Sequence, residues 1–129
     1  MQKLNIRKLA QYWMKASELD YNSAVSIVGN TKEYVNALFL IHLSCEKLLK
    51  ALYVEQHGKH APYSHNLLHL ASQIEIDEKF IGQLSEINEF NLRCRYPDDN
   101  FKIYKQATKA KAKKHLENLE ELRKWATLK

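Results

Sequence analysis

Residues 37–54, ALFLIHLSCEKLLKALYV, constrain this chain more than any other stretch. The run contains no glycine or proline and is rich in leucine and alanine, so its local preference is a helix. On a helical wheel with Leu38 at zero, Cys45, Leu49 and Leu52 fall within about 40°, yet Leu40, Leu43 and Val54 occupy the far side. A helix that is apolar nearly all round is buried nearly all round. His42, Glu46, Lys47 and Lys50 interrupt the run, and each is costly in a bilayer, so a central core helix is expected and a membrane span is not.

The flanking sequence supplies helices to cover it. An amphipathic segment at about 4–28 carries Leu9, Trp13, Ala16, Leu19 and Ile27 at helical spacing. Asn30 with Glu33 has the form of a capping box for the central helix, and Gly58 closes it. Ser64 is the expected cap of a short helix, HNLLHLASQ, and Asp77 that of another running from Glu78 to about Cys94 before Pro97. From about Phe101 a last helix continues almost to Lys129, with Ala107, Ala110, Leu116, Leu119, Leu122 and Ala126 inward. With 129 residues, three glycines and two prolines, the expectation is a single all-α domain over 1–129, an antiparallel up-and-down bundle of four long helices and one short one. In so small a chain, a second subunit is expected to cover part of the central helix, making a homodimer.

Polar residues inside apolar arcs mark the candidate site. Glu46 lies at about 80° and Lys50 at about 120°, bracketed by His42, Phe39, Leu43 and Tyr53. A buried carboxylate needs a cation or several donors. Lys50, four residues on, is one partner, giving an ordinary pair at a bundle edge. The fourth helix, from Glu78, offers another: with Leu84 at zero, Phe80, Ile87, Asn88, Asn91 and Arg95 fall within about 60°, while Arg93 points away. Arg95 is therefore expected to face Glu46 and Lys50, either as a clasp that fixes helix register or as a phosphate ligand. Asn88 and Asn91 would lie beneath it, with Tyr96, Asp98 and Tyr104 at the mouth of the pocket.

The run HLSCEKLLKALYVEQHG, then P-x-S-H-N-L-L-x-L at 62–70, then RYPDD at 95–99, resembles the HEPN family (higher eukaryotes and prokaryotes nucleotide-binding). The resemblance spans most of the chain. It implies a homodimeric helical bundle, a minimal nucleotidyltransferase as partner, often in a toxin–antitoxin pair, and nucleotide or RNA as ligand. Many members of the family are RNases acting through an Arg-x4–6-His motif at the dimer interface. Here a motif starting at Arg93 or Arg95 requires histidine between 98 and 102, where the chain has Asp98, Asp99, Asn100, Phe101 and Lys102. Metal-independent RNA cleavage needs a group that exchanges a proton near neutral pH beside a cation for the phosphorane. Arg95 supplies the cation, but the aspartates are poor acids and repel phosphate, so RNase chemistry of that type is not expected. The enzymatic alternative is a ribonuclease toxin using Arg95 with a histidine from elsewhere, His42 being the candidate.

His57, His60, His65 and His69 fall within thirteen residues, and His65 and His69 have the spacing of zinc ligands on one helix. No cysteine or acidic fourth ligand accompanies them, so neither a metal nor another cofactor is expected. Cys45 and Cys94 sit in apolar-periodic segments as core fillers, and the N-terminus MQKLNIRKLAQ lacks the apolar stretch of a signal peptide. A reducing cytoplasm is the expected compartment. The net charge of +5 and the run KQATKAKAKKH at 105–115 permit an acidic partner, although the run equally suits the solvent face of the last helix.

Overall fold

The computed structural model describes residues 5–94 and 102–128. The helices are α1 (Ile6–Asn30), α2 (Tyr34–His57), α3 (Leu67–Ser72), α4 (Ile81–Arg93), α5 (Lys102–Gln106) and α6 (Lys109–Thr127), with a 3-10 turn at Glu78–Phe80 leading into α4. The result is an all-α bundle in which α1, α2, α4 and α6 are long. Trp13 meets Lys50 while Ser17 meets Ser44, so α1 and α2 run antiparallel.

Central burial of α2 follows from its composition. Leu38, Ile41, Leu48, Leu49 and Leu52 meet Leu67 and Leu70 of α3, Leu84, Ile87 and Phe90 of α4, and Leu119 and Leu122 of α6. Val54, on the opposite side of the wheel, is also fully buried by this one chain, whereas Leu43 remains 37% exposed. Most of the covering of α2 therefore requires no second subunit.

Local signals were rearranged at several ends. Asn30 does not cap α2; it remains in α1, its side chain donating to the Ser26 carbonyl at 2.9 Å. Thr31 makes the turn instead, donating to the Ile27 carbonyl at 2.8 Å and accepting from the Glu33 amide at 3.0 Å, while Glu33 caps nothing. Gly58 ends α2 as expected, with φ of 66° in the left-handed region. Asn66, not Ser64, caps α3, accepting from the Leu68 and His69 amides, and Ser64 accepts from the Asn66 amide. Asp77 accepts from the Lys79 amide and starts the 3-10 turn.

The expected last helix is broken in two. Thr108 adopts an extended conformation and accepts from the Lys111 amide at 3.1 Å, so it caps a new helix where a continuous one was expected. Inward positions also differ. In α1 the buried line is Ala10, Ser17, Ala24 and Val28, while Leu19 is 54% exposed. Small residues win there because α1 packs closely on α2. In α6 Ala110 is exposed and His115 and Ala112 are buried.

Candidate functional site

Glu46 is 4% exposed at the middle of α2, and both of its oxygens are engaged. Oε2 accepts from Lys50 Nζ at 3.2 Å, and Oε1 accepts from His65 Nδ1 at 3.0 Å. Lys50 is itself 6% exposed, with its ammonium 5.2 Å from the centroid of the Trp13 ring. The buried charge is thus balanced by an ammonium one turn away, an aromatic face behind that ammonium, and an imidazole arriving from the turn before α3. The histidine was not foreseen as this partner. Sequence reasoning looked for the second partner on α4, because periodicity ranks helix faces and says nothing about a turn residue.

The turn carrying His65 is held on both sides. The Ser64 amide donates to the Pro62 carbonyl at 2.9 Å, and the Leu67 amide donates to Asn88 Oδ1 at 2.9 Å. Asn88 Nδ2 also donates to Asn66 Oδ1 at 3.3 Å, so Asn88 anchors the start of α3 to α4. Further along the connection, the side-chain amide of Gln56 donates to the Glu75 carbonyl and accepts from the Glu75 amide, at 3.1 and 2.7 Å. These bonds tie the start of α3 to α4 and Glu75 to α2. His65 precedes α3, so His65 and His69 do not share a helix face. Among the described residues no group of three or more His, Cys, Asp or Glu side chains is placed to hold a metal ion.

The other expected pocket residues divide into three groups. Asn91 and His42 are buried, at 6% and 2% exposure, and His42 lies one helical turn before Glu46. Tyr104 of α5 is 43% exposed, and its hydroxyl donates to the Cys94 carbonyl at 3.4 Å, so α5 folds back on the end of α4. Arg95, Tyr96 and Asp98 lie outside the described residues. Open clefts occur away from Glu46: one of about 490 Å³ is lined by Tyr21, Arg123, Lys124 and Leu128, and another of about 290 Å³ by Tyr21, Val25 and Leu116.

Neither cysteine has the setting of a nucleophile. Burial pushes the Cys45 thiol up to about 12, and burial also raises that of Cys94. His115, the end of the basic run read as the solvent face of the last helix, is instead buried at 2% exposure, with Nε2 3.6 Å from Glu86 Oε1. Burial lowers its pKa below 6.5, the Glu86 carboxylate opposes that shift, and Lys111 and Lys114 reinforce it.

The fold and this charged cluster define a small all-helical domain built around one enclosed, ion-paired helix. The chain belongs to the HEPN domain family, whose sequence model matches residues 10–129. Among solved structures it is similar to the crystal structure of TT1696 from Thermus thermophilus, with a TM-score of 0.76 over 92% of this chain and 95% of that one. Identity is 15%, so this likeness concerns the fold alone. No curated protein matches the chain. No helix among the described residues is long and apolar enough to cross a membrane.

Proposed function

We propose that the chain is a HEPN-type homodimeric interaction module, the partner of a minimal nucleotidyltransferase, and that it binds nucleotide or RNA on the face where His65 meets Glu46. Family membership supports the biology. The observation that carries the binding face is an imidazole whose side chain is 60% exposed, tethered at one nitrogen to a carboxylate that is 5% exposed. Such a ring is held still while remaining open to a ligand. The excess of positive charge, +5 over the chain, favours a phosphate-bearing ligand over a neutral one. Cytoplasmic residence belongs to the same reading.

His42 is a poor acid or base for the ribonuclease alternative, because at 2% exposure it is shielded from a phosphodiester. The proposal is tested by light scattering and titration. A homodimer gives a solution mass of about twice 15.2 kDa, and co-purification with a minimal nucleotidyltransferase gives a complex of defined stoichiometry. Fluorescent oligoribonucleotide should bind with an affinity that falls steeply with salt. A monomer that binds neither RNA nor nucleotide at low salt refutes it.

A further inference from the structure

Arg123 differs from the other cations of α6 in what holds it. Its Nη1 donates to the buried Ser17 Oγ at 3.1 Å, and its guanidinium carbon lies 5.1 Å from the centroid of the Tyr21 ring. Both contacts fix the fork in place. Among the described residues no carboxylate pairs with it, and Nε and Nη2, the two donors on the other side of the fork, have no partner there. Lys124, by contrast, is engaged by Glu120 at 3.3 Å. Arg123 lines the cleft of about 490 Å³ between α1 and α6. The neighbouring cleft of about 290 Å³ shares Tyr21 and Glu120 with it and continues between Val25, Val28 and Leu116, where Val25 is left 43% exposed. Arg123 and Leu116 are two helical turns apart on α6, about 10 Å. A held cation at one end of this groove thus adjoins an apolar arm at the other.

The charges around the groove select the anion. Arg123, Lys124 and Lys113 stand against Glu120 and Glu117, an excess of one positive charge. A monoanion neutralises that excess, whereas a phosphate monoester dianion overshoots it beside two carboxylates. Two parallel N–H groups also match the two oxygens of a planar carboxylate. Burial, with Glu120 adding to it, raises the Tyr21 pKa above its usual value, so the phenol keeps its proton and adds a neutral donor.

We propose that the paired clefts between α1 and α6 bind an amphipathic monocarboxylate, its carboxylate on Nε and Nη2 of Arg123 and its unbranched apolar tail between Val25, Val28 and Leu116. The site is separate from the face where His65 meets Glu46 and does not draw on the RNA-binding reading. The guanidinium supplies charge recognition and the arm supplies length recognition, because each methylene laid against the valines and Leu116 leaves water. A short carboxylate lacks the tail and a neutral alcohol lacks the charge, so neither uses the whole groove.

The experiment is calorimetric titration of the full chain at pH 8 and fixed ionic strength with saturated carboxylates from butanoate to decanoate, and with 1-octanol and octyl phosphate. Each added methylene should tighten carboxylate binding about three- to fourfold until the arm is filled. Octanoate should bind at least about tenfold tighter than 1-octanol or octyl phosphate. Arg123→Gln should weaken octanoate by about 10- to 100-fold and leave 1-octanol unchanged. That substitution also removes the bond to Ser17, so a second variant leaves the serine node intact. Val25→Trp, at an exposed position, should occupy the arm, so that octanoate binds no tighter than butanoate. Equal affinity for octanoate and 1-octanol overturns the role of Arg123, and tighter binding of octyl phosphate overturns the choice of a monocarboxylate. Absence of binding, affinity independent of tail length, or octanoate binding that neither variant changes overturns the site itself.

Discussion

Ser17 of α1 and Ser44 of α2 exchange hydrogen bonds between their helices. Each hydroxyl donates to the other residue's carbonyl at 2.8 Å, and both residues are fully buried. Each hydroxyl hydrogen is thereby used, so the 3.0 Å separation of the two oxygens reflects packing. Arg123 of α6 adds a third strand to the node, donating from Nη1 to Ser17 Oγ at 3.1 Å while its guanidinium carbon lies 5.1 Å from the centroid of the Tyr21 ring. Ser44→Ala is expected to cost about 1 kcal/mol and Ser17→Ala more, because only the latter also removes the acceptor for Arg123. Ser17→Leu should cost about 1–3 kcal/mol through overpacking. Urea unfolding of the three variants measures the order; equal losses for the two alanine variants contradict it.

The Glu46 cluster predicts an asymmetry between breaking a buried pair and replacing it. Glu46→Ala leaves the Lys50 ammonium buried against Trp13 without its carboxylate and should lose about 3–5 kcal/mol. Removing both charges together, as Glu46→Gln with Lys50→Met, should recover most of that loss. Denaturant midpoints of Glu46→Gln, Lys50→Met and the double variant form the cycle that decides the point, and a double variant weaker than Glu46→Ala contradicts it.

His115 makes stability pH-dependent in a definite direction. Its folded-state pKa lies below 6.5, chiefly because burial disfavours the imidazolium. The unfolded chain therefore takes up the proton first as pH falls. The contribution from this residue is fully present above about 6.5 and is lost as pH drops from there toward the folded value. Glu86, Lys111 and Lys114 are the charged groups acting on the ring, so the comparison must leave them in place. Thermal melts from pH 7.5 to 5 should show a steeper loss in the wild type than in His115→Leu. Parallel curves would contradict the assignment.

Gly58 offers a backbone test free of packing effects. At φ of 66° it lies in the left-handed region, and a Cβ built there would meet nothing within 4 Å. Gly58→Ala should thus cost about 1 kcal/mol, all of it conformational. A neutral substitution measured by chemical denaturation would mean that the end of α2 relaxes.

The centrality of α2 was legible because composition alone decides it: leucines on several sides of one helix leave little solvent face, and Leu38, Leu49 and Val54 are all fully buried. Helix ends were less legible. Ser64 and Asn66, or Asn30 and Thr31, are comparable caps one or two residues apart, and the choice depends on which backbone donors tertiary packing leaves open. The buried line of α1 was missed because close helix contact selects Ser17 and Ala24 for size, while Leu19 is left outside. Glu46 and Lys50 were readable as charges in an apolar arc. His65 was not, since a partner nineteen residues away in a turn has no periodic signature. Arg95, on which the sequence reading placed the pocket, lies outside the described residues; among the described residues Lys50 and His65 are the partners of Glu46.

Contact with α1, α3, α4 and α6 on its several sides makes α2 the axle of this domain. Its backbone amides should be the last to exchange with deuterated solvent, because freeing them requires several neighbours to leave at once. Mutational drift on the outer helices can then remodel what the surface recognises while the axle keeps its register, an economical basis for variation within one architecture.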